Sequence, residues 1–396
     1  MPARADVRGS RSGPGHASPV LTPAELNRAT LARQLLLERS TLDPVIATER
    51  IGGLQAQEPG SPYVALWSRL VGFEAATLDR AIHERRLVKA GLLRGTLHLV
   101  SADDYLRLQP AIEVTLRGLA AQDQFRSAEV RDIASLTEAA LAFAVEPRDN
   151  AAMHDHLFDL ATAEGRTSAD VWWRVRREGA FIRAPSNVPW SFGRRPTYVA
   201  GRAWLGGRPF ADEAAALLHL VRRYLGAFGP ATLADLRTWS HISAARLRSV
   251  IEAMPDIVRL RDEAGRPLLD LAGAARPPAD TPAPPRLLPM WDSVLLGHHD
   301  RRRVLPDAYR KAVIARNGDV LPTFLVDGRV AGLWWVEPDG AATRIVLEPF
   351  EPIAAAARRA LEAEAAALTR FHEPIEPRLF ARYRWTRARG ESPKGD

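Results

Sequence analysis

Apolar residues recur at helical spacing through three successive stretches of the chain, each closed by short alternating runs, and beyond about residue 287 alternation dominates. Thr22-Pro23-Ala24-Glu25 is a capping box with proline at the first helical position, and it predicts a leucine-rich helix to about Glu38. Asp43-Pro44 opens a second helix, whose apolar stripe Ala47, Ile51, Leu54 stops where Gln55-Ala56-Gln57 begins. A third helix near Leu78 to Arg85 leads into Leu92–Leu99, where Arg94, Thr96 and His98 alternate with apolar or small residues as on a half-buried strand. Helices followed by a β element make the pattern of a winged helix.

The second stretch is less regular. Helices are predicted over Ile133–Val145, His154–Thr162 and Ala169–Glu178, and strands at Phe181-Ile182 and Thr197–Val199. The loop between those strands, APSNVPWSFGRRP, carries Arg194 and Arg195 and reads as a basic wing. In the third stretch a helix from Ala214 to Tyr224 precedes a short helix from Thr232 to Trp239, a turn at Ser240–Ile242 and a helix from Ser243 to Met254. That is helix-turn-helix spacing, with strands Ile257–Leu260 and Leu268–Leu271 as its wing. Arg246 and Arg248 lie on the exposed face of its second helix.

The Pro-rich segment Ala275–Arg286 reads as a semi-rigid linker. Past it, Asp327-Gly328 between apolar runs signals a hairpin, a second hairpin joins Trp334–Glu337 to Thr343–Leu347, and a last helix spans about Pro352–Phe371. The expected organisation is α+β: a disordered leader 1–20, winged helices at 21–130, 131–210 and 211–274, the linker 275–286, a β-rich region 287–385 and a disordered tail 386–396.

Composition adds the partner. With 396 residues and 46% hydrophobic content the chain can bury cores for two or three domains. No apolar run approaches the roughly 20 residues of a membrane span, and the leader lacks the apolar segment of a secretory signal. The absence of cysteine excludes disulfides and thiolate metal sites and fits a cytoplasmic location. A net charge of +7 calls for an acidic partner, nucleic acid first. Of 54 basic residues only Lys89, Lys311 and Lys394 are lysines, so Schiff-base chemistry would have only Lys89 and Lys311 in ordered sequence to draw on.

The sharpest candidate for chemistry is Gln55-Ala56-Gln57. Amides two residues apart share one side of an extended segment, and Pro59 pushes Glu58 out of the helical region, so the pair either faces one cleft together or is simply solvated past a helix end. His98, with Arg94 and Thr96, serves either packing near this pair or DNA contact. His298-His299-Asp300 reads as a phosphate contact or an anchor for the tail, not as a metal site, and His154 and His156 read as structural or surface residues. Trp172 and Trp173 read as core.

Several motifs occur together and in order: LQAQEPGSPYVALWSRL, RGTLHLV, FGPATLADLRTWS, MWDSVLLGHHDRRRVL and PTFLVDGRVAGLWW. On these, from about Leu21 to Trp385, the chain resembles the winged-helix family of AlkZ- and YcaQ-type DNA glycosylases. The resemblance implies three tandem winged helices in a C shape around duplex DNA, and excision of N7-alkylated purines with unhooking of interstrand crosslinks. It also implies that Gln55 and Gln57, matching the family's Gln-apolar-Gln form, are the catalytic pair. An N7-alkylguanine is already cationic and leaves without protonation, so the enzyme has only to position water and stabilise an oxocarbenium-like sugar, which amides can do. Glu58 is the carboxylate alternative. No metal or cofactor is expected. DNA contacts are expected from Arg94, His98, Arg194, Arg195, Arg246, Arg248, Arg301, Arg303 and Arg329, the last on an Asp-Gly hairpin that either probes the strands or is a plain tail hairpin. Three DNA-binding units in one chain favour a monomer. The other function class is a non-catalytic winged-helix protein, regulatory or architectural.

Overall fold

The computed structural model describes residues 19–122, 132–163, 171–188, 190–193, 195–339 and 342–372; most of the predicted leader, the tail and Arg194 lie outside these. After a short strand β1 (Val20–Leu21), helix α1 (Pro23–Arg33) begins as its capping box demands: Thr22 Oγ1 accepts the Glu25 N–H at 3.1 Å and the Glu25 carboxylate accepts the Thr22 N–H at 2.8 Å. It ends before Glu38 because Leu35 turns left-handed, with φ +56°. Helix α2 (Pro44–Arg50) is likewise shorter than its apolar stripe. Gly52 and Gly53, at φ +80° and +88°, turn the chain into strand β2 (Leu54–Gln55), so Leu54 and the glutamines sit on a sheet, not at a helix end.

Helices α3 (Ser61–Trp67) and α4 (Ala75–His83) follow, then strands β3 (Leu87–Gly91) and β4 (Leu97–Ser101). The predicted strand Leu92–Leu99 is divided: Leu93–Gly95 is a 3-10 turn in which Arg94 takes φ +57°, and only its C-terminal part is β. Helix α5 (Ala102–Gln122) then leaves the sheet.

The second stretch contains α6 (Ile133–Phe143), β5 (Arg148–Asp149), α7 (Asn150–Ala163), α8 (Val171–Glu178), β6 (Phe181–Ala184), β7 (Thr197–Ala200) and α9 (Gly201–Trp204). Its strands join those of the first stretch. β3 pairs with β6, Lys89 opposite Arg183 and Ala90 opposite Ile182, giving one six-stranded sheet in the order β2-β4-β3-β6-β7-β5. In the β6–β7 loop the aromatic side chains turn inward. Trp190 is fully buried and stacks on Tyr63 of α3 at 4.7 Å, while Ser191 Oγ donates to Asp79 of α4. Trp172 and Trp173 are buried as expected.

The third stretch has α10 (Glu213–Phe228), α11 (Leu233–Ser240), α12 (Ala244–Glu252) and the hairpin β8 (Ile257–Asp262) and β9 (Pro267–Leu271), with β1 alongside β8 in parallel. Local signals fix its two short helices: Thr232 and Asp235 form a capping box, and Ser243 caps α12. The Pro-rich segment is a strap tied to α1, with Arg33 donating to the Ala275 carbonyl and Arg28 Nε to the Thr281 carbonyl at 2.7 Å.

In the tail, β10 (Arg286–Leu288) is followed by α13 (Arg310–Val313), β11 (Thr323–Val326), β12 (Arg329–Asp339), β13 (Ala342–Pro349) and α14 (Ala355–His372). One core joins α1 to α4 with this sheet and α14; another joins β3, β4 and α5 with α10 to α12. Two bidentate ion pairs cross between parts, and all four side chains are almost completely buried. Arg69 meets Asp292 at 2.8 and 2.9 Å, and Arg33 meets Asp270 at 2.7 and 2.9 Å. Among the described residues no helix is long and apolar enough to cross a membrane.

Candidate active site

Gln55 lies opposite His98 and Leu54 opposite Leu99, and the pairing continues as the Ala56 N–H donates to the Leu97 carbonyl at 2.7 Å. Ala56 and Leu54 are buried, and alternation places the two glutamines together on the other side of the segment. Gln55 is 6% exposed, and its Oε1 accepts from Arg94 Nη2 at 2.8 Å. Gln57 is exposed, and its Oε1 accepts the Leu97 N–H at 2.8 Å. Both side-chain carbonyls are therefore held by protein donors. Each keeps one lone pair, and neither NH₂ group has an acceptor among the described residues. The pair thus presents up to four N–H bonds and two spare lone pairs to whatever enters.

His98 is 2% exposed with Nδ1 3.0 Å from the Thr96 carbonyl, so it backs Gln55 inside the sheet. Burial first, then the Arg94 charge, push its imidazole down to about 3, leaving it neutral. Arg94 does not sit on a strand face beside His98. Its left-handed backbone lets the guanidinium reach Gln55 and the Trp239 carbonyl of α11, at 3.1 Å, and burial and the Arg301 charge lower its pKa to about 10.

Lys89 belongs to the Leu54–Leu99 row, on the sheet face opposite the Gln55–His98–Ala90 row. Its ammonium lies 4.6 Å from the centre of the Phe192 ring, and burial and Arg183 push it down to about 7 while Glu58 opposes them. Glu58 thus acts on a lysine behind the amide pair.

The other predicted DNA contacts divide. Arg195, Arg248 and Arg329 are exposed. Arg246 pairs with Glu213, and Arg301 is half-buried near Arg94. Arg303 points inward, donating to Thr30 Oγ1 at 3.1 Å and the Pro230 carbonyl at 3.0 Å, which makes it a structural tie. The Asp327-Gly328 turn is docked on α1: Asn27 donates to the Gly328 carbonyl at 2.8 Å and Arg28 pairs with Asp327. His298 is buried with Nε2 2.9 Å from the Phe228 carbonyl, and the His299 and Asp300 N–H groups donate to Asp235 at 2.8 and 3.4 Å, so His298-His299-Asp300 anchors the tail to α11. The Leu97 N–H and the Trp239 carbonyl, which fix the site, are main-chain groups invisible to residue patterns.

A convergent amide pair on a mixed α+β scaffold with unpaired arginines nearby fits an enzyme working at a polyanion, and the comparisons define that class as DNA glycosylase. The family model described as DNA glycosylase AlkZ-like matches residues 48–371, and the chain belongs to this family. It hydrolyses N-glycosidic bonds in DNA. It is 27% identical over 361 residues to an interstrand DNA cross-link repair glycosylase of Streptomyces sahachiroi, a match covering 86% of this chain and 94% of that one. The solved Streptomyces sahachiroi DNA glycosylase AlkZ superposes with a TM-score of 0.74 over 90% of this chain and 98% of its own, at 22% identity, which shows the mixed α+β fold.

Proposed function

We propose that this glycosylase is monofunctional, excises N7-alkylated purines and unhooks interstrand crosslinks, protecting its host from a DNA-alkylating natural product. The proposal includes three tandem winged helices (21–130, 131–210 and 211–274), the linker 275–286 and the region 287–385, arranged as a C around duplex DNA. The protein acts as a monomer in the cytoplasm, at the nucleoid. The observation that carries the reading is the tethering of both glutamines by their carbonyls, which leaves their N–H groups for substrate.

The alkylated base leaves as a neutral purine, taking the electron pair of the glycosidic bond. Water then adds to C1′ and its proton passes to solvent. The spare Gln57 lone pair accepts from that water, and the Gln55 amide donates to the sugar or its phosphate. A base covalently joined to both strands does not swing out readily, and an open pair of amides suits it. The name of the Streptomyces sahachiroi relative supports crosslinks as substrates.

The test is incubation with duplexes bearing N7-methylguanine or a nitrogen-mustard crosslink, scored by alkaline cleavage at abasic sites. Excision is expected from both and is expected to be indifferent to a chelator. Intact binding with no excision of either lesion would overturn the reading.

A further inference from the structure

Arg94 and Arg301 have no carboxylate partner in any ion pair among the described residues, although this protein pairs arginines freely elsewhere. The nearest acid to Arg301 in sequence, Asp300, is taken by Arg302 and Arg266. Arg301 Nε is buried with no hydrogen-bond partner. Arg94 uses one N–H on Gln55 and one on the Trp239 carbonyl, which leaves three N–H bonds of its guanidinium unassigned. The surroundings add more positive charge: Arg301 acts on Arg94, Arg310 acts on Arg301, and Arg94 acts on His241. Partly buried like charges repel and are costly to desolvate, and an anion removes both penalties.

We propose that Arg94 and Arg301 form a seat for one backbone phosphate of the DNA beside the target nucleotide, and that Arg94 couples this seat to the Gln55 amide. This rests on the DNA glycosylase reading, since duplex DNA brings the phosphate, and guanidinium forks match phosphate oxygens bidentately. Three elements build the seat: the turn Leu93–Gly95, the end of α11 through Trp239, and the turn Arg301–Arg303, which follows the anchored His298-His299-Asp300. A phosphate on the free N–H groups of Arg94 lies one guanidinium away from Gln55 Oε1. The sugar attached to it is then held against the amide pair, and Arg94 is a positioning residue as well as a phosphate ligand.

The experiment measures binding on a duplex carrying 2′-fluoro-N7-methylguanosine, which resists excision, with single neutral methylphosphonate linkages stepped across the three phosphates on either side. In wild type one position is expected to weaken binding about tenfold, the usual scale of a charge-assisted hydrogen bond. In Arg301→Gln that penalty is expected to vanish and the salt slope to fall by about one. Arg301→Lys keeps the charge and is expected to keep part of the coupling. Arg222→Gln, at an exposed ion pair with Asp256, is expected to match wild type throughout. Equal methylphosphonate profiles in wild type, Arg301→Gln and Arg301→Lys overturn the seat. On a cleavable lesion, Arg94→Lys is expected to lower kcat while leaving KM within a fewfold, and an effect confined to KM overturns the coupling to Gln55. Because binding is read without excision, failure of the seat and failure of the glycosylase reading are separate results.

Discussion

The side-chain carbonyl of Gln57 accepts the main-chain N–H of Leu97 at 2.8 Å, so an exposed glutamine is fixed by the strand that carries His98. Removing it exposes the Leu97 N–H to water at little cost. Gln57→Ala is therefore expected to lose about 100-fold or more in single-turnover excision, the scale of a lost transition-state hydrogen bond, with stability within about 0.5 kcal/mol of wild type. A fall of many degrees in Tm alongside the lost activity would make Gln57 a structural residue.

Arg69 and Asp292 tie α3 to the tail with no exposure on either side chain, and Arg69 also donates to the carbonyls of Gln34 and Ala65. Arg69→Met strands a buried carboxylate and is expected to cost about 3–5 kcal/mol by urea unfolding. The double variant Arg69→Met/Asp292→Leu is expected to recover much of that loss. Equal destabilisation of single and double variants would show that the pairing itself matters less than the hydrogen bonds to carbonyls.

Gly328 sits at φ +75°, and a Cβ there would meet Leu31 at 2.5 Å and Asn27 at 2.6 Å. Gly328→Ala is expected to destabilise by about 2 kcal/mol, through backbone strain and the clash with α1. Asp327→Asn is expected to change stability by less than about 1 kcal/mol, because its carboxylate is 76% exposed. A Gly328→Ala protein as stable as wild type would mean that the turn is free of α1 in solution.

The two buried histidines among the described residues give the stability a defined pH dependence. His98 is held down to about 3, by burial first and then by Arg94; His298 is also lowered, by burial first and then by Arg303. An unfolded histidine titrates near 6.5, so between about 6.5 and 3 the unfolded chain binds more protons than the folded one, and stability falls as pH falls. Chemical unfolding between pH 7 and 4 is expected to show this slope, and His98→Asn is expected to flatten it even if it lowers stability overall. An unchanged slope in His98→Asn would place the proton uptake elsewhere.

What could be read from the sequence was local. Thr22, Asp43, Thr232 and Ser243 cap the helices they precede, and Asp327-Gly328 makes the two-residue turn its residue types require. What escaped depended on distant partners. Strand β3 is continuous in sequence with the end of a helix and is defined by pairing with β4 and with β6, which follows more than 80 residues later. Trp190 could not be known to leave its loop without Tyr63 to receive it. Arg94 imitates a strand position because Leu-Arg-Gly-Thr-Leu-His-Leu alternates, yet the left-handed turn at Arg94 and Gly95 breaks the period between the two polar side chains. The glutamine pair was legible as a position, but its main-chain and arginine tethers were not.

The pairing of β3 with β6 also bears on how this molecule can be divided. Severed near residue 130, the N-terminal fragment would carry an open strand edge at β3 and lose the Trp190 ring that covers Tyr63, two features that invite association with other copies. The amide pair, at the end of β2 with β4 between it and β3, depends on that same sheet. Chemistry and scaffold are thus inherited together, and a gene fragment encoding the motif alone is expected to encode an aggregating peptide, not a small glycosylase.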